Sequence, residues 1–505
     1  MKHINGIIVF AFLALLLLNV LSAGVYLPTT MADTQNTSNQ PSNGQTVDNW
    51  AMYRHDIQRS GLSTSQAPNN NLLWKFFTGP SNSPSLADRL RASPTIVEGV
   101  VYIGSNNSIF YALNATSGAT IWQVNVGSVI ESSAAVVDNV VYVGILWDGH
   151  NGYVDAFNAT NGALIWQFAT TSGIESSPAV VNGVVYIGSF NGYVYALNAA
   201  NGALKWSYLT GGSTFSSPAF VDGVVYIGSN DGKVYALNAD SGALMWSFQT
   251  GDHIYASPAV VNNVVYVNTD NGILYALKAS DGSKIWQATF GIGDHADDSP
   301  AVANGIVYIG ARNGYYAFDA TNGAQIWFFT STYSQRQFGG YVYSSPIVAG
   351  NVVYFGSCDN YVFALNAFDG SMIWSYRVGG FLFSSPSVVK GVLFIGSYDG
   401  YVYALGGTPV PPPTPTPQPT VNPSPTPNAD DWPILYHDLN RTGTSTATAS
   451  NGNLLWQFNT GDKVYSSPVI ANGVVYEGSW KGYVYALNAA TGAVIWQYNC
   501  GSMVQ

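Results

Sequence analysis

The chain has 505 residues, of which 9% are charged and 14% aromatic, and its formal net charge is −11. This length exceeds that of one ordinary domain. The negative charge argues against nucleic-acid binding, which needs a basic surface to neutralise phosphates. Two cysteines, Cys358 and Cys500, are too few for a disulfide scaffold or a multi-cysteine metal site.

Residues 1 to 27 are predicted to be a signal peptide or an uncleaved signal anchor. Lys2 precedes an apolar run from Ile7 to Val20, and small residues follow that run. Counted as far as Leu27, about twenty mostly apolar residues are present, enough to span a bilayer. Both alternatives predict an extracytoplasmic protein, secreted or anchored at the cell surface through this segment alone. Residues 28 to 49, rich in Ser, Thr, Asn and Gln, are predicted to form a disordered stalk.

A motif that we call the strap occupies residues 50 to 61 as WAMYRHDIQRSG and returns at residues 432 to 443 as WPILYHDLNRTG. The sequence LLW follows it in both places. His55 and Asp56 have the residue types of a metal or catalytic site. Because they recur in the same place before each repeat array, we interpret them as parts of a structural element.

The unit that recurs along the chain is clearest from Glu175 to Thr210. It contains four segments rich in Val, Tyr and Ile, separated by Asn182-Gly183, Asn191-Gly192 and Asn201-Gly202. Asn-Gly tolerates the positive φ angles of type I′ turns, so the unit is predicted to be a four-stranded antiparallel meander. The segments VVYIG and YVYAL are apolar at consecutive positions, which is typical of strands covered on both faces. Such a meander must stack between copies of itself.

The copies can be counted by a Ser-Pro mark in the first strand and a tryptophan in the last strand. The serines are Ser93, Ser133 (followed by Ala134), Ser177, Ser217, Ser257, Ser299, Ser345 and Ser385. Seven tryptophans close units, and an eighth, Trp74, lies in a last strand with no unit before it, LLWKFF from Leu72 to Phe77. We therefore predict an all-β fold over residues 50 to 406, an eight-bladed β-propeller of four-stranded antiparallel blades whose ring is closed by the N-terminal strand.

The tryptophans occupy a fixed place in every blade, and we interpret them as packing residues that wedge adjacent blades together. They are Trp74, Trp122, Trp166, Trp206, Trp246, Trp286, Trp327 and Trp374.

The units differ most at the position two residues before the Ser-Pro serine. The first strand of a blade is innermost, so these eight side chains should surround the mouth of the central channel. Either this loop position varies without consequence, or it forms a recognition face for a surface protein, a peptide or a glycan. The ligand-face candidates are Arg91, Glu131, Glu175, Phe215, Tyr255, Asp297, Tyr343 and Phe383.

The loop from Gly291 to Asp298, GIGDHADD, holds the weak metal candidates of the chain. Asp294, Asp297 and Asp298 offer oxygen donors that favour calcium over zinc. Their spacing matches no calcium loop that we can justify, so we interpret the segment as a solvated acidic loop.

The tryptophan-bearing repeat, the eight blades and the motif WxxxxHDxxRxG resemble the PQQ-like propellers of the quinoprotein alcohol dehydrogenase-like family. The family includes quinone-dependent dehydrogenases and a noncatalytic assembly lipoprotein of the bacterial outer membrane. The resemblance implies a calcium site, a catalytic Asp and often a disulfide between adjacent cysteines in the dehydrogenases. This chain has no adjacent cysteines. We therefore expect a noncatalytic scaffold without a cofactor, closer to the lipoprotein. The alternative is an oxidoreductase dependent on pyrroloquinoline quinone or calcium.

Residues 407 to 429 alternate Pro and Thr and are predicted to be an extended linker. Residues 430 to 505 contain a second strap and one complete unit, and are predicted to be the start of a second, incomplete propeller.

Overall fold

The computed structural model describes residues 49–79, 89–146, 151–291, 298–311, 313–330, 342–407, 469–471, 474–478, 483–488 and 491–499. These residues belong to two compact units, one that contains the described residues from 49 to 407 and one that contains those from 469 to 499. Every regular element of the described residues is a β-strand, and none of these residues forms a helix with the length and hydropathy that a membrane crossing requires. The predicted N-terminal segment and linker lie outside the described residues.

Two strands, β1 (Leu62–Ser63) and β2 (Leu72–Phe77), precede the repeats. Blade 1 comprises β3 (Thr95–Val97), β4 (Val100–Gly104), β5 (Ile109–Asn114) and β6 (Thr120–Asn125), and blade 2 comprises β7 (Ala135–Val137), β8 (Val140–Ile145), β9 (Gly152–Asn158) and β10 (Leu164–Thr170). Blade 3 comprises β11 (Ala179–Val181), β12 (Val184–Gly188), β13 (Tyr193–Asn198) and β14 (Leu204–Leu209), and blade 4 comprises β15 (Ala219–Val221), β16 (Val224–Ser229), β17 (Lys233–Asn238) and β18 (Leu244–Gln249).

The remaining blades follow the same plan. Blade 5 comprises β19 (Ala259–Val261), β20 (Val264–Asn268), β21 (Ile273–Lys278) and β22 (Lys284–Thr289), and blade 6 comprises β23 (Ala301–Ala303), β24 (Ile306–Ala311), β25 (Gly314–Asp319) and β26 (Gln325–Phe329). Blade 7 comprises β27 (Ile347–Ala349), β28 (Val352–Ser357), β29 (Tyr361–Asn366) and β30 (Met372–Arg377). Blade 8 comprises β31 (Ser387–Val389), β32 (Val392–Gly396), β33 (Tyr401–Gly406) and β2.

The predicted ring closure is confirmed. Strand β2 pairs antiparallel with β33, with Trp74 opposite Ala404, and so supplies the fourth strand of blade 8. The other three strands of this sheet come from the far end of the propeller sequence. Pairing of the first and last parts of the array completes blade 8 and thereby closes the ring.

The turn chemistry is only partly as predicted. In blade 3, Asn182 and Gly183 both have positive φ angles, 51° and 73°, as a type I′ turn requires. At the other two Asn-Gly pairs only Gly192 and Gly202 have positive φ. The type I′ prediction is therefore wrong for those two turns. The last turn is longer because the side chain of Asn198 accepts the Ala200 amide and its carbonyl accepts the Gly202 amide.

The tryptophans pack between blades, as predicted. The indole N–H of Trp166 donates to the carbonyl of Ala199 in the next blade at 2.8 Å. Its ring lies against Gly202 of that blade, where a Cβ atom would come within 2.6 Å of the indole. Six other tryptophans donate the same hydrogen bond to a backbone carbonyl of the next blade, and Trp374 donates to the carbonyl of Pro68. The six are Trp74, Trp122, Trp206, Trp246, Trp286 and Trp327.

The second unit contains a four-stranded sheet of the same order, β34 (Val469–Ala471), β35 (Val474–Gly478), β36 (Tyr483–Asn488) and β37 (Val494–Asn499). Its register repeats that of the blades, with Ala486 opposite Trp496. The described part of this unit is thus one blade of the predicted kind.

Candidate functional site: a cup on the propeller axis

The strap runs along the inner strands of the blades in chain order. Its extension Leu62–Ser63 forms β1, which pairs in parallel with β27 of blade 7. Carbonyls of the strap accept inner-strand amides in six blades, namely those of Ile96, Val136, Phe220, Val260, Val302 and Val348. Arg59 bonds to blade 3, and Ser63 and Ser65 bond to blade 8. The strap and the residues that follow it, as far as Ser65, therefore contact all eight blades, which the sequence interpretation did not foresee.

Two arginines of the strap are buried on the axis. Arg54 and Arg59 are 1% and 0% exposed. Arg54 donates to the carbonyls of Ser299 and Pro300 at 2.8 and 2.6 Å, and Arg59 donates to that of Pro218 at 2.9 Å. Burial lowers the pKa of Arg59 to about 10. These buried charges are satisfied by carbonyl groups of residues that directly precede the inner strands, so they tie several blades to one segment.

Above the strap, the eight Ser-Pro serines form a closed ring of hydrogen bonds. In each blade the serine amide donates to the serine hydroxyl of the next blade, as from Ser177 to Ser217 at 2.9 Å. The Ser385 amide donates to the Ser93 hydroxyl at 2.9 Å and completes the circle. The other six bonds measure 2.8 to 3.0 Å. The Ser-Pro serines, used above only to count blades, therefore link each blade to the next around the ring.

A cup of about 140 Å³ opens above this serine ring. Tyr53 of the strap reaches into its floor, and its hydroxyl lies 3.0 Å from the hydroxyl of Ser345. Seven of the eight predicted ligand-face residues line the wall, and we call these seven the rim. The rim consists of Arg91, Glu131, Glu175, Phe215, Tyr255, Tyr343 and Phe383. The eighth candidate, Asp297, lies outside the described residues.

Blades 1 to 3 place charges on the rim. Arg91 forms an ion pair with Glu131 at 2.8 Å, and the other oxygen of Glu131 accepts the Asn106 amide group at 3.3 Å. Burial by itself lowers the pKa of the Arg91 guanidinium, but the carboxylates of Glu131 and Glu175 outweigh it and raise that pKa above its ordinary value. This part of the rim is therefore held in place by the ion pair and by the Asn106 hydrogen bond.

Blades 4, 5, 7 and 8 place aromatic rings on the rim. Phe215 and Tyr255 meet edge to face at 5.2 Å between centroids. Tyr343 and Phe383 stack at 4.7 Å and 10°, and Phe383 stacks in turn on Tyr398 at 4.3 Å. These contacts fix the rings at the mouth of the cup as two rigid aromatic surfaces.

The third metal candidate, Asp298, has a structural role in blade 6. It is fully buried, and it accepts the Gly310 amide at 2.5 Å. Serines make the same bond in five other blades, as Ser176 does with the Gly188 amide. Asp298 also interacts electrostatically with Arg54. Among the described residues, no three His, Cys, Asp or Glu side chains converge as a metal site requires, and Asp294 and Asp297 lie outside those residues.

Several residues of the cup were missed by sequence reasoning. Tyr53 belongs to the strap and reaches the floor from far along the chain. Asn106 and Tyr398 support the rim from the turns between the second and third strands of their blades. A search for departures from the repeat at those turns would have found Tyr398, because the equivalent position holds Phe190 in blade 3, Asn230 in blade 4 and Asp270 in blade 5.

Comparisons with known proteins give matches in sequence and in structure. The family model described as beta-alanine-activating enzyme, beta-propeller, matches residues 90–291. The model described as outer membrane protein assembly factor BamB matches residues 316–408 and 440–505. A search of the curated proteins found no match.

Solved structures share the architecture. BamB from Moraxella catarrhalis superimposes with a TM-score of 0.56 and 20% identity, covering 67% of this chain and 98% of that one. Quinohemoprotein alcohol dehydrogenase from Comamonas testosteroni gives 0.57 and 17%, covering 72% and 81%. A europium-containing methanol dehydrogenase gives 0.60 and 14%, covering 71% and 98%. Such identities show a common fold alone. The chain is a β-propeller, similar in fold to BamB and to the quinoprotein dehydrogenases and matched in part of its sequence by the BamB family model.

Proposed function

We propose that this protein is a noncatalytic, extracytoplasmic scaffold that binds a protein partner through the rim of the cup. The observation that carries the proposal is the convergence of seven half-buried aromatic and charged side chains above a floor that holds the ring together. Aromatic residues and arginine in a partly enclosed setting are the residue types that dominate protein interfaces. The serines below them already accept hydrogen bonds from the neighbouring blades.

The charges of the cup support binding over quinone chemistry. Pyrroloquinoline quinone carries three carboxylates, whereas the described lining of the cup contains two carboxylates, Glu131 and Glu175, and one guanidinium, Arg91. Glu131 is already paired with that guanidinium at 2.8 Å, so a calcium ion would have to displace it. The lining therefore does not fit the quinone with its calcium ion, and no catalytic step is derived through them.

The proposed location rests on two features. Residues 1 to 27 have the sequence pattern of an export signal or anchor. The family model that matches residues 316–408 and 440–505 is described as an outer membrane protein assembly factor. Both favour a place outside the cytoplasm, where the rim meets other proteins of the cell envelope or surface.

The test is capture of envelope proteins by the full chain and by a Tyr343→Ala/Phe383→Ala double variant. This pair stacks at 4.7 Å, and its removal flattens one side of the rim. We expect the variant to lose at least about 90% of the captured partner, because two central aromatic anchors are removed together.

The matched control is Met245→Ala/Met372→Ala, which truncates two exposed side chains on outer strands and should leave capture unchanged. Equal capture by the rim variant and the parent protein contradicts the proposal. Loss in the control alone would place the interface on the outer wall instead.

The alternative function is tested separately by incubating the purified protein with pyrroloquinoline quinone and calcium. We expect no bound quinone absorbance after gel filtration. Retention of one quinone per chain would replace the scaffold proposal with an oxidoreductase.

A further inference from the structure

The serine hydroxyls of the floor carry hydrogens that the ring itself does not use. Each hydroxyl accepts the amide of the preceding blade, as Ser217 accepts that of Ser177 at 2.9 Å, and each has one hydrogen of its own to donate. The hydroxyl of Tyr53 lies 3.5 and 3.0 Å from those of Ser299 and Ser345 and engages both. Among the hydrogen bonds of the described residues, none is donated by the other six hydroxyls, those of Ser93, Ser133, Ser177, Ser217, Ser257 and Ser385.

These hydroxyls are buried, yet they line the cup. The eight serines of the floor are 1% to 5% exposed, and all eight belong to its lining. A buried hydroxyl hydrogen without an acceptor costs about 1–3 kcal/mol, so it must be paired with an oxygen atom inside the cup. A ligand that displaces water from the floor must therefore bring several oxygen acceptors of its own.

The charged residues of the wall favour a neutral ligand. Arg91 pairs with Glu131 at 2.8 Å, and both Glu131 and Glu175 act electrostatically on Arg91. A second guanidinium at this mouth, that of Arg89, lies 4.8 Å from the centroid of the Tyr398 ring. A charged ligand would have to compete with these opposite charges. A ligand hydroxyl can bond to a carboxylate that is already paired, because a carboxylate has about four acceptor positions.

Aromatic rings occupy two opposite sides of the wall. In a ring of eight blades, blade 4 lies opposite blade 8, so Phe215 stands across the axis from Phe383. Phe215 is held by Tyr255 at 5.2 Å and Phe383 by Tyr343 at 4.7 Å between ring centroids. Carbon-bound hydrogens between these sides are removed from water, which contributes about 25 cal/mol per Å² of apolar surface. The cup therefore suits a ligand with apolar faces and an edge that carries oxygens.

The volume of the cup limits that ligand to about one six-membered ring. The cup measures about 140 Å³, and an engineered protein cavity of about 150 Å³ holds one benzene molecule. A pyranose ring has six members, its C–H groups form its two faces, and its hydroxyl groups both donate and accept hydrogen bonds. A neutral sugar therefore matches the floor, the charged wall and the aromatic sides together.

We propose that the cup binds one neutral pyranose residue of a glycan carried by the partner protein. Its hydroxyl groups bond to the serine floor and to the carboxylates of the wall, and its C–H faces lie between the aromatic residues of blades 4 and 8. This proposal rests on the proposed protein-binding function and names the group that is recognised. An apolar side chain of the partner would leave the six serine hydrogens without acceptors, and a charged one would compete with the ion pair of the wall.

The test measures binding of the methyl α- and β-pyranosides of glucose, galactose and mannose to the full chain by calorimetry. We expect at least one of the six to bind with a Kd on the order of 1 mM, because a single ring buries little surface. The matched control is the uronide of the same sugar, in which a carboxylate replaces the CH₂OH group, and it should bind at least about fivefold more weakly. Kd values above about 10 mM for all six pyranosides overturn the proposal, and equal binding of the uronide overturns the assignment of a neutral sugar.

Two variants with the same change of side chain locate the site. Phe215→Ala removes one aromatic side of the cup and should weaken pyranoside binding about tenfold. Phe328→Ala removes an exposed ring from the outer strand β26 of blade 6 and should leave binding unchanged. Unchanged affinity in Phe215→Ala contradicts the proposed site even if a pyranoside binds.

Failure of this inference is distinguishable from failure of the scaffold proposal when capture is repeated with envelope proteins oxidised by periodate, which cleaves the vicinal diols of sugars. We expect oxidation to abolish capture by the parent protein. If Tyr343→Ala/Phe383→Ala loses the partner but the parent protein captures the oxidised partner as before, the rim binds a protein through another group and only the sugar inference is wrong. If a pyranoside binds but the rim variant retains the partner, the sugar belongs to a free glycan and the scaffold proposal is wrong.

Discussion

The floor and the rim of the cup are two residues apart in sequence within each blade, yet the eight blades treat them in opposite ways. At the floor every blade has the same serine, because each hydroxyl must accept the amide of its neighbour to close the ring. At the rim the seven described residues include four aromatic and three charged side chains. Uniformity therefore marks positions that hold the ring together, and variation marks positions that are available for recognition.

The largest expected difference is in the free energy of unfolding, between a variant of a buried arginine and a variant of an arginine at the rim. Arg59→Ala removes charged hydrogen bonds to four carbonyls, those of Tyr53, Ser177, Pro178 and Pro218, and leaves a cavity on the axis. We expect the free energy of unfolding to fall by about 4 kcal/mol. Arg91→Ala removes a partly exposed ion pair and should cost about 1 kcal/mol or less. Chemical denaturation of both variants measures the difference, and equal losses would contradict a structural role for the strap.

A second comparison concerns the packing between blades. Two glycines of blade 3 have almost the same φ but different surroundings, so their variants separate the effect of packing from that of the backbone. Gly202 has φ of 72° and lies against the indole of Trp166, whereas Gly183 has φ of 73° with nothing within 4 Å of an added Cβ. Gly202→Ala should cost about 3 kcal/mol, from overpacking and from the backbone together. Gly183→Ala should cost about 1 kcal/mol, from the backbone alone. Thermal unfolding of the two variants isolates the contact with Trp166.

A pH-dependent contrast comes from Asp155 in blade 2, where blade 3 has Tyr195 instead. Asp155 is 2% exposed, and burial raises its pKa from 3.8 to about 6, against a hydrogen bond from Gln167. Because the folded-state pKa lies above the unfolded value, the stability that Asp155 contributes is fully present below pH 3.8 and is lost as pH rises through 6.

The corresponding test is the stability of Asp155→Asn relative to the parent protein across that range. From pH 4 to pH 8 the variant should gain about 2 to 3 kcal/mol over the parent protein, since one pKa unit corresponds to about 1.4 kcal/mol. A difference that does not vary with pH would show that Asp155 is not protonated in the folded protein near pH 5.

The smallest expected effect compares floor and rim directly within blade 4. Ser217→Ala deprives the Ser177 amide of its acceptor and should cost about 1 to 2 kcal/mol of stability. Phe215→Ala, two residues earlier, should cost less than about 1 kcal/mol but weaken capture of the partner protein. If Phe215→Ala is the more destabilising of the two, the rim is part of the structural core and the comparison is wrong.

Sequence reasoning predicted the fold and the positions of the seven rim residues. Counting serines and tryptophans predicted eight blades and a closing strand, and the pairing of Trp74 with Ala404 confirms it. The rim prediction placed seven side chains that the structure brings into one cup. Their role in binding remains a prediction. Sequence reasoning did not find the path of the strap, the position of Tyr53 or the structural role of Asp298, and it assigned type I′ geometry to two turns that lack it.

The predicted and the missed features differ because the first depend on residues close together in sequence and the second on residues far apart in sequence. The strand period, the turn residues and the Ser-Pro and tryptophan marks are local and repeat, so the sequence by itself determined the number of blades, their internal pairing and the identity of the variable positions. Only the tertiary structure decided how one unrepeated segment bonds to all eight blades. For example, the amides of Ile96 in blade 1 and Val348 in blade 7 both donate to carbonyls of the strap. Both bonds can form together only after the blades have assembled around the axis.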